Sequence, residues 1–172
     1  MANDAGGDCG YPQAYDGVFV VGAESGTHPS MTGGNQKVFG LDVKTGTKLW
    51  EYKPDIPVWN LTPLFPGDGS TIFMDFAGGV YKLNLATGAE QWKTLPECCR
   101  NSFSDGGAGL ANELVYTCSN FGENKGFEGT TGIVRAFHVS DGTEAWYKLT
   151  TMPCNTYPSV GHLANVEPMA VV

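Results

Sequence analysis

The sequence predicts an all-β fold, a partial β-propeller of four-stranded antiparallel blades, from two main observations. One segment recurs three times and ends at Trp50, Trp92 and Trp146, which are 42 and 54 residues apart. Shifting the chain by 96 residues also aligns Val18–Trp50 with Leu114–Trp146 without a gap. No apolar stripe of helical period is long enough for a helix. Because a four-stranded sheet cannot bury both faces alone, the repeated units must stack on one another.

Each recurring segment is predicted to be two strands joined by a short turn. The segments are LDVKTGTKLW at 41–50, LNLATGAEQW at 83–92 and FHVSDGTEAW at 137–146. Gly46, Gly88 and Gly142 supply the positive φ that such a turn requires. Asp42 and Asn84 can hydrogen-bond the turn backbone. The tryptophans are interpreted as packing residues, because an indole is a large apolar plate that fills the gap between blades.

Two further strands are predicted ahead of each segment. The second strands are Val18–Val21, Thr71–Met74 and Leu114–Thr117, and the weaker first strands are Tyr11–Ala14, Leu61–Phe65, Ser102–Ser104 and Tyr157–Val160. The predicted blades are therefore 9–52, 57–93 and 98–149, with the first strand of a further blade at 154–164. Three blades and one strand leave open faces, so we expect either a piece of a longer protein, which we favour, or partners that cover the ends.

The motif hydrophobic-x-[Asp/Asn]-x-x-[Thr/Asp]-Gly-x-x-x-Trp resembles the tryptophan-docking repeat of pyrroloquinoline-quinone (PQQ) enzymes and their non-catalytic relatives. The resemblance covers residues from about 9 to 164. It is specific for the fold and not for an activity, since many members of this propeller group bind no quinone and act as scaffolds.

The adjacent Cys98 and Cys99 are the residues that the resemblance connects to a cofactor. PQQ-dependent alcohol dehydrogenases use a vicinal disulfide that stacks on the quinone, and it likewise follows a docking tryptophan, as Cys98 follows Trp92. The family's other groups for PQQ and calcium are not identified in this chain. We favour ordinary structural disulfides, for which Cys99–Cys154 is a candidate pair, over free thiols or a quinone ring. With five cysteines, at least one is unpaired within the chain.

Composition limits the partners and the compartment. Ten basic and 18 acidic residues give a net charge of −8, which disfavours binding to nucleic acid or to an anionic membrane surface. No stretch approaches the roughly 20 apolar residues that span a bilayer. His28, His138 and His162 are scattered without metal-ligand spacing, and His138, at the position of Asp42, is interpreted as structural. The cysteines favour a non-cytosolic location, whether secreted, periplasmic or in an organelle lumen.

Two long loops at equivalent places, 24–36 and 120–132, are predicted to bind a partner. Their candidate contact residues are Thr27, His28, Met31, Phe121, Lys125 and Phe127. The sequence therefore predicts no catalytic residue and favours a non-catalytic, protein-binding scaffold, whose partners are other subunits or the missing blades of the same protein. The alternative is a fragment of a PQQ-dependent alcohol dehydrogenase. A propeller that binds a polysaccharide or another ligand in its central channel is a third, weaker option.

Overall fold

The computed structural model describes residues 10–23, 34–94, 102–104, 106–122, 131–161 and 169–171, and the regular elements in these ranges are all β-strands. The strands are β1 Gln13–Tyr15, β2 Val18–Ala23, β3 Lys37–Asp42, β4 Lys48–Tyr52, β5 Ser70–Met74, β6 Val80–Asn84, β7 Glu90–Lys93, β8 Ser102–Phe103, β9 Gly109–Ala111, β10 Leu114–Phe121, β11 Thr131–His138, β12 Glu144–Thr150, β13 Ser159–Gly161 and β14 Met169–Val171. They form antiparallel sheets, as expected for a partial β-propeller. We call β1–β4 blade 1, β5–β7 blade 2 and β8–β12 blade 3.

Blade 1 is a four-stranded meander in the order β1-β2-β3-β4. The turn between β1 and β2 contains Asp16 and Gly17, both with positive φ, of 44° and 80°. Two consecutive positive φ values are typical of the tight turns whose twist matches that of a hairpin. β1 begins two residues later than the predicted strand, after Pro12, which has no N–H to give to a ladder.

Blade 2 has three strands, in the order β5-β6-β7. The predicted first strand, Leu61–Phe65, is reduced to one antiparallel bridge between Leu64 and Ile72, which exchange two backbone hydrogen bonds of 2.8 and 2.9 Å. Pro63 and Pro66 flank this bridge and donate no backbone hydrogen bonds. The prolines therefore limit the pairing to a single residue.

Blade 3 has an interrupted inner strand. β8 pairs with one end of β10 and β9 with the other, so Ser102–Phe103 and Gly109–Ala111 together take the place of one first strand. Only the first of these pieces was predicted from the sequence. Between them, a Cβ added to Gly106 would lie 2.7 Å from the carbonyl oxygen of Thr156. The interruption thus lets the backbone lie directly against the segment that leads to β13.

The fourth sheet consists of β13 and β14, the latter unpredicted. Tyr157, just before β13, contacts the ring of Tyr11 edge to face at 5.7 Å between centroids and donates a hydrogen bond of 3.2 Å to the carbonyl oxygen of Asn60. The Tyr11 N–H in turn donates to the Leu61 carbonyl oxygen at 2.7 Å. Tyr157 therefore brings the segment before β13 into contact with the residues just before β1 and with the segment that leads into blade 2.

The hydrophobic core lies between the blades, as stacking requires. The cluster between blades 1 and 2 consists of Val18, Val20, Val38, Trp50, Val58, Leu61, Phe73, Tyr81, Leu83 and Leu85. The cluster between blades 2 and 3 consists of Ile72, Met74, Val80, Ala108, Val115, Phe137 and Val139. Blade 2 is consequently buried on both faces. Among the described residues, the other face of blade 1 has no blade against it, and that of blade 3 is covered only in part, by the segment that carries Cys154 and leads to β13.

Asp75 closes the turn between β5 and β6 from a buried position. Its Oδ1 accepts hydrogen bonds from the N–H groups of Ala77 and Gly79, at 2.9 and 2.8 Å, and its Oδ2 accepts one from the Tyr81 hydroxyl at 2.9 Å. Burial raises the pKa of Asp75 to about 6, although these three hydrogen bonds act in the opposite direction.

We expect Asp75→Asn to gain stability relative to the parent protein as pH rises. The pKa of Asp75 in the folded state lies above the unfolded value of 3.8. Its contribution to the free energy of unfolding is therefore fully present below pH 3.8 and is lost as pH rises through about 6. Urea unfolding of both proteins between pH 4 and 7 measures the difference. Asp42→Asn is the control: the Thr45 hydroxyl lowers the pKa of Asp42 below its ordinary value of 3.8, so its contribution is lost only below that pH and should stay constant between pH 4 and 7. A difference for Asp75→Asn that does not change with pH would contradict the assignment.

Candidate functional site

The three recurring turns have one backbone geometry. The N–H of each glycine donates to the carbonyl oxygen four residues earlier, with Gly46, Gly88 and Gly142 at φ of 70°, 70° and 73°. In the first two turns the side-chain oxygen of Asp42 or Asn84 accepts the N–H groups two and three residues later. In the third turn, where His138 stands at that position, Asp141 accepts from Thr143 instead.

A bulge follows each turn at the same register position. The pairing between the third and fourth strands shifts between Gly40 and Leu41, between Lys82 and Leu83, and between Ala136 and Phe137. In every blade this places the tryptophan of the motif opposite the residue before the shift. The bulge therefore determines the direction in which the indole points. Redirecting a side chain is a common role of β-bulges.

Trp50 connects blade 1 to blade 2. Its indole N–H donates a hydrogen bond of 2.7 Å to the carbonyl oxygen of Leu85, and only 6% of the residue is exposed. The ring covers Gly88, where an added Cβ would lie 2.7 Å from the indole. Gly40 on the neighbouring strand leaves room for the same ring. The glycine of one blade thus receives the tryptophan of the blade before it.

Trp92 makes the equivalent contact between blades 2 and 3. Its indole N–H donates to the carbonyl oxygen of Val139 at 3.0 Å, and its ring covers Gly142. The same carbonyl oxygen accepts a second hydrogen bond of 3.0 Å from the buried ammonium of Lys82, which also forms a salt bridge of 2.7 Å with Asp68. Lys82 was not predicted from the sequence, because the positions equivalent to it are Gly40 and Ala136.

The receiving carbonyl groups belong to the third residue of each motif. The N–H groups of Val43, Leu85 and Val139 all donate to the hairpin turn between the first two strands of their own blade, at Gly17, Gly69 and Glu113. This bond holds the residue in place, and the carbonyl oxygens of Leu85 and Val139 face the preceding blade. Sequence reasoning missed this function because it is performed by backbone atoms of an ordinary apolar residue.

Two residues are exposed although their equivalents are buried between blades: Val43, which is equivalent to Leu85, and Trp146, which is equivalent to Trp50. Val43 is 50% exposed whereas Leu85 is 3% exposed, and nothing lies within 4 Å of a Cβ added to Gly46. At the other end, Trp146 is 37% exposed and contacts Tyr116 of its own blade at 6.1 Å between ring centroids. We call the blade 1 surface formed by Phe19, Val21, Phe39, Leu41 and Val43 the receiving face, and the blade 3 surface around Trp146 and Lys148 the donor face.

A polar cleft opens between blades 2 and 3. It has a volume of about 460 Å³ and its charged and polar lining comprises Asp68, Lys82, Asn112, Glu113, His138 and Ser140. The structure therefore places His138, which was interpreted as structural, at the surface of this cleft, with the turn capped by Asp141. The ion pair in this lining, Lys82–Asp68, lies within blade 2, and the Lys82 ammonium also donates to the Val139 carbonyl oxygen of blade 3. The cleft is therefore part of the inter-blade contact.

The disulfide pairing differs from the predicted one. Cys154 is bonded to Cys118 of β10, with 5.6 Å between the Cα atoms, so the candidate pair Cys99–Cys154 is wrong. Cys118 lies in the middle of a strand and was not considered, although β10 faces the segment in which Cys154 stands. Cys98 and Cys99 lie outside the described residues, and their proposed contact with a quinone stays a prediction.

Of the predicted loop contacts, only Phe121 is described. It is half-buried at the end of β10, where it pairs with Thr131. The other five, Thr27, His28, Met31, Lys125 and Phe127, lie outside the described residues. Within the ranges that the structure describes, no three His, Cys, Asp or Glu side chains come together to hold a metal ion.

Stacked antiparallel sheets, of which blades 2 and 3 each receive the tryptophan of the sheet before it, define a segment of a PQQ-like β-propeller. The family model described as "Outer membrane protein assembly factor BamB" matches residues 3–102 and, in an overlapping second match, residues 34–167. Since the match covers most of the chain, the protein belongs to this family. No curated protein matches the chain.

Solved structures share the fold at low sequence identity. A europium-containing methanol dehydrogenase superposes with a TM-score of 0.63 at 18% identity, over 84% of this chain and 25% of that chain. Quinohemoprotein alcohol dehydrogenase ADHIIG from Pseudomonas putida HK5 gives 0.60 and 21%, over 84% and 21%. The computationally designed Ika4 protein gives 0.58 and 12%, over 93% and 88%. This chain spans about a quarter or less of the length of the two dehydrogenases.

Proposed function

We propose that this chain is a non-catalytic propeller segment that binds other proteins through the open faces of its end blades. The observation that carries the proposal is the contrast in exposure between equivalent residues, such as Val43 against Leu85 and Trp146 against Trp50. Val43 and Trp146 are thus exposed, whereas their equivalents are buried between blades. Contiguous exposed apolar surface of this kind marks sites of protein association.

The receiving face of blade 1 carries several large apolar side chains. Phe19, Val21, Phe39 and Leu41 are all half-buried, whereas Tyr81 and Leu83, which are equivalent to Phe39 and Leu41, are buried in the core between blades 1 and 2. Large apolar side chains in this number favour a protein partner over a small polar ligand, because small ligands need convergent polar groups to orient them.

The disulfide supports a location outside the cytosol. Cys118–Cys154 joins blade 3 to the segment before β13, and such bonds persist mainly in oxidising compartments. The described residues contain no helix with the length and apolar character needed to cross a membrane. We infer that the protein works in an extracytosolic space.

A photo-reactive residue placed at position 148 tests the proposed function. Lys148 shares the donor face with Trp146, and its substitution should give cross-links to another protein in an extract of the native host. The same residue at the exposed position of Lys53 in blade 1, outside the donor face, is the control. Cross-linking at 148 should decrease when Trp146 is also changed to alanine. Equal yields at 148 and 53 would contradict the proposal.

The second candidate function is a part of a PQQ-dependent alcohol dehydrogenase, and the structural likeness to two such enzymes favours it. Adding PQQ, Ca²⁺ and a dye acceptor to the chain, with a primary alcohol as substrate, tests this candidate. Our proposal predicts no dye reduction above that of PQQ alone. Alcohol-dependent reduction that is lost in a Cys98→Ser, Cys99→Ser variant would establish the second candidate.

A further inference from the structure

The outer strand of blade 3 is longer than the outer strands of the other two blades. β12 has seven residues, whereas β4 has five and β7 has four. It is the last strand of its sheet, and no backbone hydrogen bond from another described segment reaches its outer side. An outermost strand directs every second N–H and C=O group away from its sheet, and a further strand can pair with these groups.

The outer strands also differ in the side chains that they expose. Lys48 of β4 forms a salt bridge with Glu51 of the same strand, and Lys93 of β7 forms one with Asp55. The large apolar side chains that β12 exposes are Trp146, Tyr147 and Leu149. Charged side chains on an edge strand discourage pairing with another strand, whereas a long apolar edge promotes it. β12 is therefore the outer strand that is best suited to pairing.

The contacts of β12 within the chain leave its outer side accessible. The Arg135 guanidinium lies over the Tyr147 ring, 5.8 Å from its centroid, yet Tyr147 is 55% exposed. In the described ranges the one ion pair of β12 joins Glu144 to Arg135, so the ammonium group of Lys148 has no carboxylate partner there. The segment that carries Cys154 approaches the sheet at β10 and β11, and every residue from 144 to 149 is exposed.

The sequence of β12 is complementary to itself in an antiparallel pairing. A two-fold axis at Tyr147 places Trp146 of each copy opposite Lys148 of the other, and Ala145 opposite Leu149. An ammonium group beside an indole ring is attracted to it, and a small side chain opposite a large one avoids crowding.

Other registers of this pairing are less favourable. An axis at Tyr147 pairs all seven residues of the strand, whereas an axis one residue away pairs five. An axis at Lys148 would also place two ammonium groups directly opposite each other, which destabilises a strand pair. An axis at Trp146 would place Lys148 opposite Glu144, whose carboxylate is already bonded to Arg135. The self-pairing of β12 is therefore best served by the axis at Tyr147.

We propose that two copies of this chain pair edge to edge through β12 and form one antiparallel sheet across a two-fold axis at Tyr147. The same strand is used by both copies, as a two-fold contact requires. This inference goes beyond the proposed function, which concerns the faces of the end blades, because the contact uses the rim of blade 3.

Sedimentation of the purified chain tests the proposal. At about 0.15 M salt, which screens repulsion between chains of net charge −8, we expect a reversible dimer. Its dissociation constant should lie between about 1 µM and about 1 mM, as for a small interface. Tyr147→Lys and Tyr147→Glu each place like charges at the axis, so each should weaken association at least about tenfold. An equimolar mixture of the two variants should restore association, because each lysine then faces a glutamate.

Leu49→Lys is the matched control. Leu49 is an exposed apolar residue, 46% accessible, on the outer strand of blade 1, and its substitution changes the net charge exactly as Tyr147→Lys does. It should leave the dissociation constant unchanged. Circular dichroism verifies that each variant is folded.

Four results would each overturn the inference. They are a parent chain that stays monomeric up to about 1 mM, undiminished association of Tyr147→Lys, equal weakening by Leu49→Lys, and no recovery in the mixture. An association that Tyr147→Lys does not weaken would place the contact between copies on another surface. The test uses the purified chain without an extract, so binding of another protein through the open faces stands or fails separately. A cross-link from position 148 to a second copy would also form in the purified chain, whereas one to another protein would not.

Discussion

Replacing Trp50 by alanine is expected to reduce the free energy of unfolding by about 4 kcal/mol, the range usual for deleting a large buried aromatic side chain. Trp50 belongs to the core between blades 1 and 2, and its indole N–H is bonded to the carbonyl oxygen of Leu85. The variant leaves a cavity between two sheets and an unpaired carbonyl group. Urea unfolding followed by far-ultraviolet circular dichroism measures the change.

Trp146→Ala is the matched control for this experiment. The residue has the same place in its motif and in its sheet, but it is 37% exposed and no blade is described against it. We expect this substitution to cost less than about 1 kcal/mol, as for most surface changes. Similar losses for the two variants would show that the indole stabilises its own blade and not the contact between blades.

The second large effect is expected for Gly88→Ala. Gly88 has a φ of 70°, and its Cα lies under the Trp50 ring, so an added methyl group meets both an unfavourable backbone conformation and the indole. We expect a loss of about 3 kcal/mol, of which about 1 kcal/mol comes from the left-handed conformation and the rest from overpacking. Thermal or urea unfolding measures it.

Gly46→Ala isolates the backbone part of that loss. Gly46 has the same φ of 70°, but nothing lies within 4 Å of its added Cβ. The expected cost is therefore only the backbone contribution of about 1 kcal/mol. If Gly46→Ala is as destabilising as Gly88→Ala, the contact with the neighbouring tryptophan has no measurable energetic role.

The recurring strands and turns could be predicted because they are encoded locally. The alternation of apolar residues and the glycine after Thr45 or Thr87 specify strand, turn and strand within ten residues, without any information from the rest of the chain. The weak first strands could not be placed as well. Pro63 shortens one of them, and the gap in blade 3 depends on how closely Gly106 approaches Thr156, which is a contact between distant segments.

The candidate site could be predicted only in part from the sequence, again because some of it depends on contacts between distant segments. The tryptophans and glycines carry a signal in their spacing, whereas the carbonyl groups of Leu85 and Val139 carry none, since every residue has one. The Cys118–Cys154 pair also depends on a contact between segments that are distant in the sequence. Both residues are compatible with several partners in the sequence, and only the approach of β10 to the segment before β13 selects this bond.

The Cys118–Cys154 bond also determines how the chain would respond to mechanical tension. The bond bridges a sequence separation of 36 residues, and β11 and β12 lie inside the loop that it closes. Pulled from its two termini, the oxidised polypeptide cannot extend this loop, so about 120 Å of contour length is withheld at roughly 3.4 Å per residue. A reductant would release that length, and the outer half of blade 3 would then unravel under load.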